Sequence, residues 1–164
     1  MTLSSIRAVR RASSVAAALL AVCVGVPAGM VEDDAVRATH AFFASMSAQD
    51  TAAVSRFVPE QGFSELTPES PRLLQLDMKA FKSLFAAGRR IDLRVGDARA
   101  QQVGDAAVIV TGIRVGYIAP PQAAAVVAQL PFTMVWQHQG DGWKIRHIHF
   151  SSPADRSDSS GGKP

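Results

Sequence analysis

The chain has 164 residues, with 17 lysines and arginines against 14 aspartates and glutamates and a formal charge of +3, a length that suggests one domain. Residues 1–28 hold Arg7, Arg10 and Arg11 and no acid, so the remainder carries fourteen charges of each sign, a balance that gives no reason to expect nucleic acid or an anionic membrane as partner. The only cysteine, Cys23, also lies in that first segment, so the rest of the chain is expected to hold together by core packing alone, with no thiol and no disulfide.

In chain order, the first segment reads as an export signal. The three arginines precede an uncharged apolar run, Val15 to Val26, and Val26-Pro27-Ala28 supplies the small residues of a cleavage site. The run is short for a membrane span, which needs roughly 20 residues. Cleavage after Ala28 is expected, giving a periplasmic or secreted protein with no stable membrane insertion afterwards. Arg10-Arg11 lacks the following residues of a twin-arginine signal. Leu20-Ala21-Val22-Cys23 resembles a lipoprotein box, but Val22 is bulkier than the residue usual before a lipidated cysteine.

Val31 to Met46 reads as the first helix, with Glu32, Asp33 and Asp34 at its start and Ala35, Thr39, Phe42 and Met46 on one stripe. Asp50 is placed to cap a short second helix, Thr51 to Phe57. Phe63 to Leu66 predicts a short strand, and Thr67 to Pro71 a loop. Asp77 is placed to cap a third helix, Met78 to Ala87, which Gly88 ends. From Ile91 onward the pattern turns to strands. Ile91, Leu93 and Val95 alternate with Asp92 and Arg94, and Ala106 to Ile118 is rich in β-branched residues. Gly112 and Gly116 within it predict bends. Ala123 to Gln129 fits helix or loop. Phe132 to His138 and Trp143 to Ser151 form a hairpin about Gln139-Gly140-Asp141-Gly142. The tail from Ala154 is polar and expected to be disordered. Helices followed by long hairpin strands define an α+β domain with one sheet face covered by helices.

The helix followed by Ser47-Ala48-Gln49-Asp50-Thr51, and the closing run Trp143-Lys144-Ile145-Arg146-His147-Ile148-His149-Phe150-Ser151, resemble the opening and closing motifs of the NTF2-like superfamily, in its SnoaL-like and kinase-association-domain branch. The resemblance spans roughly residues 32 to 152. It implies N-terminal helices packed on a strongly curved antiparallel sheet, a cone with a pocket inside, and often a homodimer through the outer sheet face. Members include isomerases, cyclases, dehydratases and proteins without chemistry, so the resemblance implies no single activity.

Three residues are candidate proton carriers. His147 and His149, two apart in a strand, are expected to share a face with Trp143 and Ile145. Glu65 falls near the base position of the steroid isomerase branch. That branch's tyrosine and second acid are replaced by Phe42 or Phe43 and by Phe132 or Thr133, which argues against steroid isomerisation. A metal site built on the histidines, with His138 or His40 added, lacks a carboxylate at a telling spacing, and neither metal nor cofactor is expected. The candidate ligand-binding set is Phe42, Phe43, Met46, Phe63, Phe85, Tyr117, Phe132, Met134, Trp136, Arg146 and Phe150, an apolar collection with one cation. In kinase association domains, arginines of the last two strands enter the pocket. Met134 and Phe150 stand at those positions here, which argues for an apolar pocket and against carboxylate capture there. Arg114 and Arg146 read more readily as surface arginines paired with acids. The expectation is an exported pocket protein for a small, largely apolar molecule. An acid–base enzyme and a homo-oligomerisation module are the rivals.

Overall fold

The computed structural model describes residues 28–140 and 142–152. The expected export signal and the polar tail lie outside the described residues, save that Ala28 and Gly29 already belong to the first helix. No helix among the described residues is long and apolar enough to cross a membrane.

Among the described residues, three helices precede or interrupt a six-stranded sheet. Helix α1 spans Ala28–Ser47 and α2 spans Thr51–Ser55. Strands β1 (Phe63–Thr67) and β2 (Ser70–Leu76) follow, then α3 (Met78–Ala86). The long strands are β3 (Arg90–Val103), β4 (Ala107–Ala119), β5 (Ala128–Gln139) and β6 (Gly142–Phe150). The spatial order is β2-β1-β6-β5-β4-β3. Every neighbouring pair is antiparallel except β1 and β6, which run parallel. The sheet is therefore mixed, where the sequence implied a purely antiparallel one. The parallel pair joins strands far apart in the chain, with β2, α3 and three long strands between them.

Local chemistry explains the helix boundaries. Asp50 accepts a hydrogen bond from the Ala53 amide at 2.9 Å, and Asp77 accepts one from the Ala80 amide at 2.9 Å. Each satisfies an amide that the first helical turn would otherwise leave unpaired. Gly88, at φ +64, ends α3 in the left-handed conformation that glycine adopts without steric cost. Helix α1 starts earlier than expected, so Glu32 sits in its second turn. Its carboxylate instead accepts from the Gln102 amide of β3 at 2.9 Å. At the other end of α1, Ser47 Oγ accepts from the Leu93 amide at 2.7 Å and donates to the Leu93 carbonyl at 3.1 Å. Strand β3 is a sheet edge, and α1 thus blunts it at both ends by occupying backbone groups that would otherwise be free to pair.

Strand β2 was not expected, because Ser70-Pro71-Arg72 carries little strand propensity. It is the opposite sheet edge, where a proline amide has no ladder bond to lose.

The sheet curls where the glycines lie. Gly116 has φ +138, and a Cβ there would stand 1.9 Å from the Asp92 carbonyl oxygen. At Gly112 a Cβ would meet the Asp97 carbonyl at 2.6 Å and the Phe132 ring at 2.9 Å. Opposite them, β3 carries a bulge between Val95 and Ala98, which adds local twist. The helices fill the concave side. Phe42, Phe43, Met46, Val54, Phe81, Val108, Val110, Met134, Trp136 and Ile145 are all buried there.

Candidate functional site

The concave face has two ends of different character. At the packed end, Trp136 and Thr39 are fully buried. The indole Nε1–H donates to Thr39 Oγ1 at 2.9 Å, and that hydroxyl donates to the Ala35 carbonyl at 2.9 Å. Phe57 meets the indole edge-on at 5.9 Å between centroids. Every polar atom in this relay has a partner, so the tryptophan is held as structure.

At the other end a cavity of about 530 Å³ remains between the sheet and the helices. Phe42, Phe43 and Met46 from α1, Phe63 from β1 and Phe81 from α3 form its apolar wall. Leu93, Leu130, Ile148 and Phe150 continue that wall along the sheet, and Pro120, Ala124 and Val126 of the β4–β5 loop border it. A volume of this size is typical of small-molecule sites.

Two charged side chains enter the apolar space. Along β1 the residues alternate, so Phe63, Glu65 and Thr67 face inward while Ser64 faces out. Along β4, Val108 and Val110 are buried and Arg114 continues the same face into the cavity. Burial pushes the Glu65 carboxyl up to about 7, against a lowering by Arg114, with Glu69 adding to the rise. Burial also lowers the Arg114 pKa, against the raising influence of Glu69 and Glu65. An arginine keeps its charge in proteins despite such a shift. The guanidinium carbon lies 5.0 Å from the centre of the Phe150 ring, within reach of a cation–π contact. Arg114 Nε is buried without an acceptor among the described residues. The ion pairs found among those residues, Arg37–Asp34 and Arg94–Asp92, leave Arg114 out. Tyr117, Arg89 and Glu69 also border the cavity.

The candidate residues separate accordingly. Phe42, Phe43, Met46, Phe63, Glu65, Tyr117 and Phe150 line the cavity. Phe132, Met134 and Trp136 face the same side but are sealed in the core; Phe132, for instance, packs on Phe43 and Phe150 at 5.7 and 6.4 Å. Phe85 is half-buried beside Phe81 at 6.5 Å and does not border the space. Arg146, His147 and His149 are outside it, and the reason is a bulge in β6. Trp136 pairs with Ile145 while Val135 pairs with His147, so Arg146 is an extra residue with no partner on β5. It reverses the alternation. Trp143 and Ile145 face inward before it, and Ile148 and Phe150 face inward after it. The expectation that His147 and His149 share a face with Trp143 and Ile145 is therefore corrected: both turn to the convex side. His147 Nδ1 there shares a hydrogen bond of 2.8 Å with Ser64 Oγ across the parallel pair. The view of Arg114 as a surface residue paired with an acid is corrected as well. Its signal was present in its even spacing from Val108 and Val110 along the strand.

His40 is exposed on α1, and His138 stands edge-on to Trp143 at 5.3 Å beside a second hollow of about 480 Å³. Among the described residues, no group of three or more potential metal ligands is brought together.

Comparison with known proteins places this geometry. The fold matches an NTF2-like superfamily protein from Salmonella enterica with a TM-score of 0.63 at 13% identity, covering 82% of this chain and 99% of that one. It matches the association domain of C. elegans CaMKII with a TM-score of 0.61 at 18% identity, covering 76% and 98%. It also matches an NTF2-like protein from Cytophaga hutchinsonii with a TM-score of 0.61 at 10% identity, covering 74% and 97%. No curated protein matches the sequence. The SnoaL-like domain family matches residues 36–155, the greater part of the chain, and the protein belongs to that family.

Proposed function

We propose that this is an exported pocket protein that binds one small, largely apolar molecule in the cone. The observation that carries this reading is the cavity of about 530 Å³, apolar in its walls and entered by Glu65 and Arg114. Pockets that bind small molecules combine an apolar lining with a few polar groups that fix orientation, and a cone meant only as scaffold has no use for two desolvated charges. Export rests on the basic, apolar and small-residue order of residues 1–28. The test is native mass spectrometry of the protein from the exported fraction of its own host. A co-purified small molecule of reproducible mass supports the reading. An empty cone that also takes up no apolar ligand in titration removes it.

A second reading, proton transfer on the bound molecule, is favoured by Glu65 alone. A carboxyl that exchanges its proton near pH 7 inside an apolar cavity suits a general acid or base. His147 and His149 take no part in this version, because they lie on the other side of the sheet. Once a ligand is known, Glu65→Gln is expected to abolish turnover. Retained turnover removes Glu65 as proton carrier.

Pairing of two copies through the convex sheet face is compatible with either reading. That face presents Ile109 opposite Val135 and Val135 opposite His147, all partly exposed. Val135→Glu is expected to shift the protein to monomer in size-exclusion chromatography with light scattering. An unchanged mass removes this face as the contact.

A further inference from the structure

We propose that the ligand of the cone is an amphiphilic carboxylic acid, its carboxylate held by Arg114 and Glu65 and its apolar body by the phenylalanine wall. This inference rests on the reading of the cone as a ligand site and names the class of ligand.

The charge in the cavity calls for an anion. Arg114 carries five N–H donors and no acceptor. Its Nε is buried unpaired, and no carboxylate among the described residues reaches ion-pair distance. A desolvated cation without a partner is costly, and a ligand carboxylate supplies the acceptor oxygens. The Phe150 ring, 5.0 Å from the guanidinium carbon, restricts where the group can turn.

Glu65 works in the same direction while it holds its proton, because a neutral carboxyl donates one O–H to an anion. The other ionisable groups bordering the space are Glu69 at the β1–β2 turn, Arg89 ahead of β3 and Tyr117 on β4. Glu69 is exposed, so solvent screens it more than it screens Arg114. With Glu65 protonated, the two arginines outweigh Glu69 and the cavity is net positive. An ammonium ligand would meet Arg114 as a like charge. An alcohol would leave that charge uncompensated. The apolar body then lies against Phe42, Phe43, Phe63 and Phe81, which occupy the helix side and the β1 end of the same space.

The test is calorimetric titration of the purified protein, at about pH 6, with phenylbutyrate, phenylbutanol and phenylbutylamine, and with the corresponding decanoic acid, alcohol and amine. Each acid is expected to bind at least about ten-fold more tightly than its alcohol, the value of one hydrogen bond to a charged group, and the amines more weakly still. Arg114→Met is expected to erase the acid's advantage while the alcohol binds as before. Equal affinity for acid and alcohol, or an acid preference that survives Arg114→Met, overturns the inference and leaves the pocket reading standing. Failure of every compound to bind overturns both. Should Arg114→Met not fold, the ranking of acid, alcohol and amine on the unsubstituted protein decides alone.

Discussion

The two ends of the cone use the same raw material differently. At one end Trp136, Met134, Ile145, Val108 and Val110 are wholly buried, and the single polar relay among them is complete from Trp136 through Thr39 to the Ala35 carbonyl. At the other, phenylalanines from the same helix border open space, and Glu65 and Arg114 stand partly buried with no ion pair between them. Closed packing with satisfied polar groups maximises stability. Open packing with unsatisfied charges forfeits stability and leaves interactions for a ligand to complete. The difference suits the first end to folding and the second to the proposed ligand.

Substitutions test that division. Trp136→Ala is expected to have the largest effect, a loss of about 3–5 kcal/mol for a buried aromatic. Chemical denaturation measures it, and a loss below about 1 kcal/mol would mean that the packed end is not the stabilising one. Glu65→Gln acts in the opposite direction and only at higher pH. Its carboxyl is near 4.5 when free and about 7 in the fold. The folded state therefore holds the proton longer than the unfolded state does, and stability falls as pH rises from about 4.5 to about 7. The glutamine variant lacks that fall. It is expected to be about 3 kcal/mol more stable than the parent at pH 8 and equal to it at pH 4. Parallel melts across pH would break the comparison by showing that Glu65 is not desolvated.

Thr39→Val removes the acceptor for the indole N–H at nearly constant volume. Leaving a buried donor unpaired is expected to cost about 1–3 kcal/mol, read from the same denaturation curves. No loss would mean that the relay is dispensable. His147→Ala is the mildest. It removes the hydrogen bond to Ser64 on the convex face and is expected to cost about 1 kcal/mol, with ligand affinity unchanged. A change in affinity larger than the change in stability would bring the histidine back into the site.

Much of the fold was legible because it rests on local rules. Asp50 and Asp77 announce the starts of α2 and α3, Gly88 the end of α3, and alternating residues the four long strands. What escaped depends on partners distant in sequence. Strand β2 exists because β1 offers it an edge, and nothing in Ser70-Pro71-Arg72 declares that. Of the site, the aromatic wall and Glu65 were readable from the element pattern and the family resemblance. Arg114 was undervalued because an arginine among β-branched residues usually points to water. Only the curled sheet, bent at Gly112 and Gly116, brings its side chain over the Phe150 ring at the cavity.

The extra residue at Arg146 has a consequence for the history of such domains. A strand is read modulo two, and one residue bulged out of the ladder works as a parity change: beyond it, odd and even positions exchange sides without any substitution. Drawing Arg146 into a regular ladder would present His147 and His149 to the cavity and send Ile148 and Phe150 to solvent, whereas deleting it would leave all four facing as they do. Two relatives identical at every aligned histidine could then own cavities of opposite chemistry, one with imidazoles inside and one, like this protein, with a carboxyl and a guanidinium. For this fold, a bulge in the last strand decides which of its residues face the cavity.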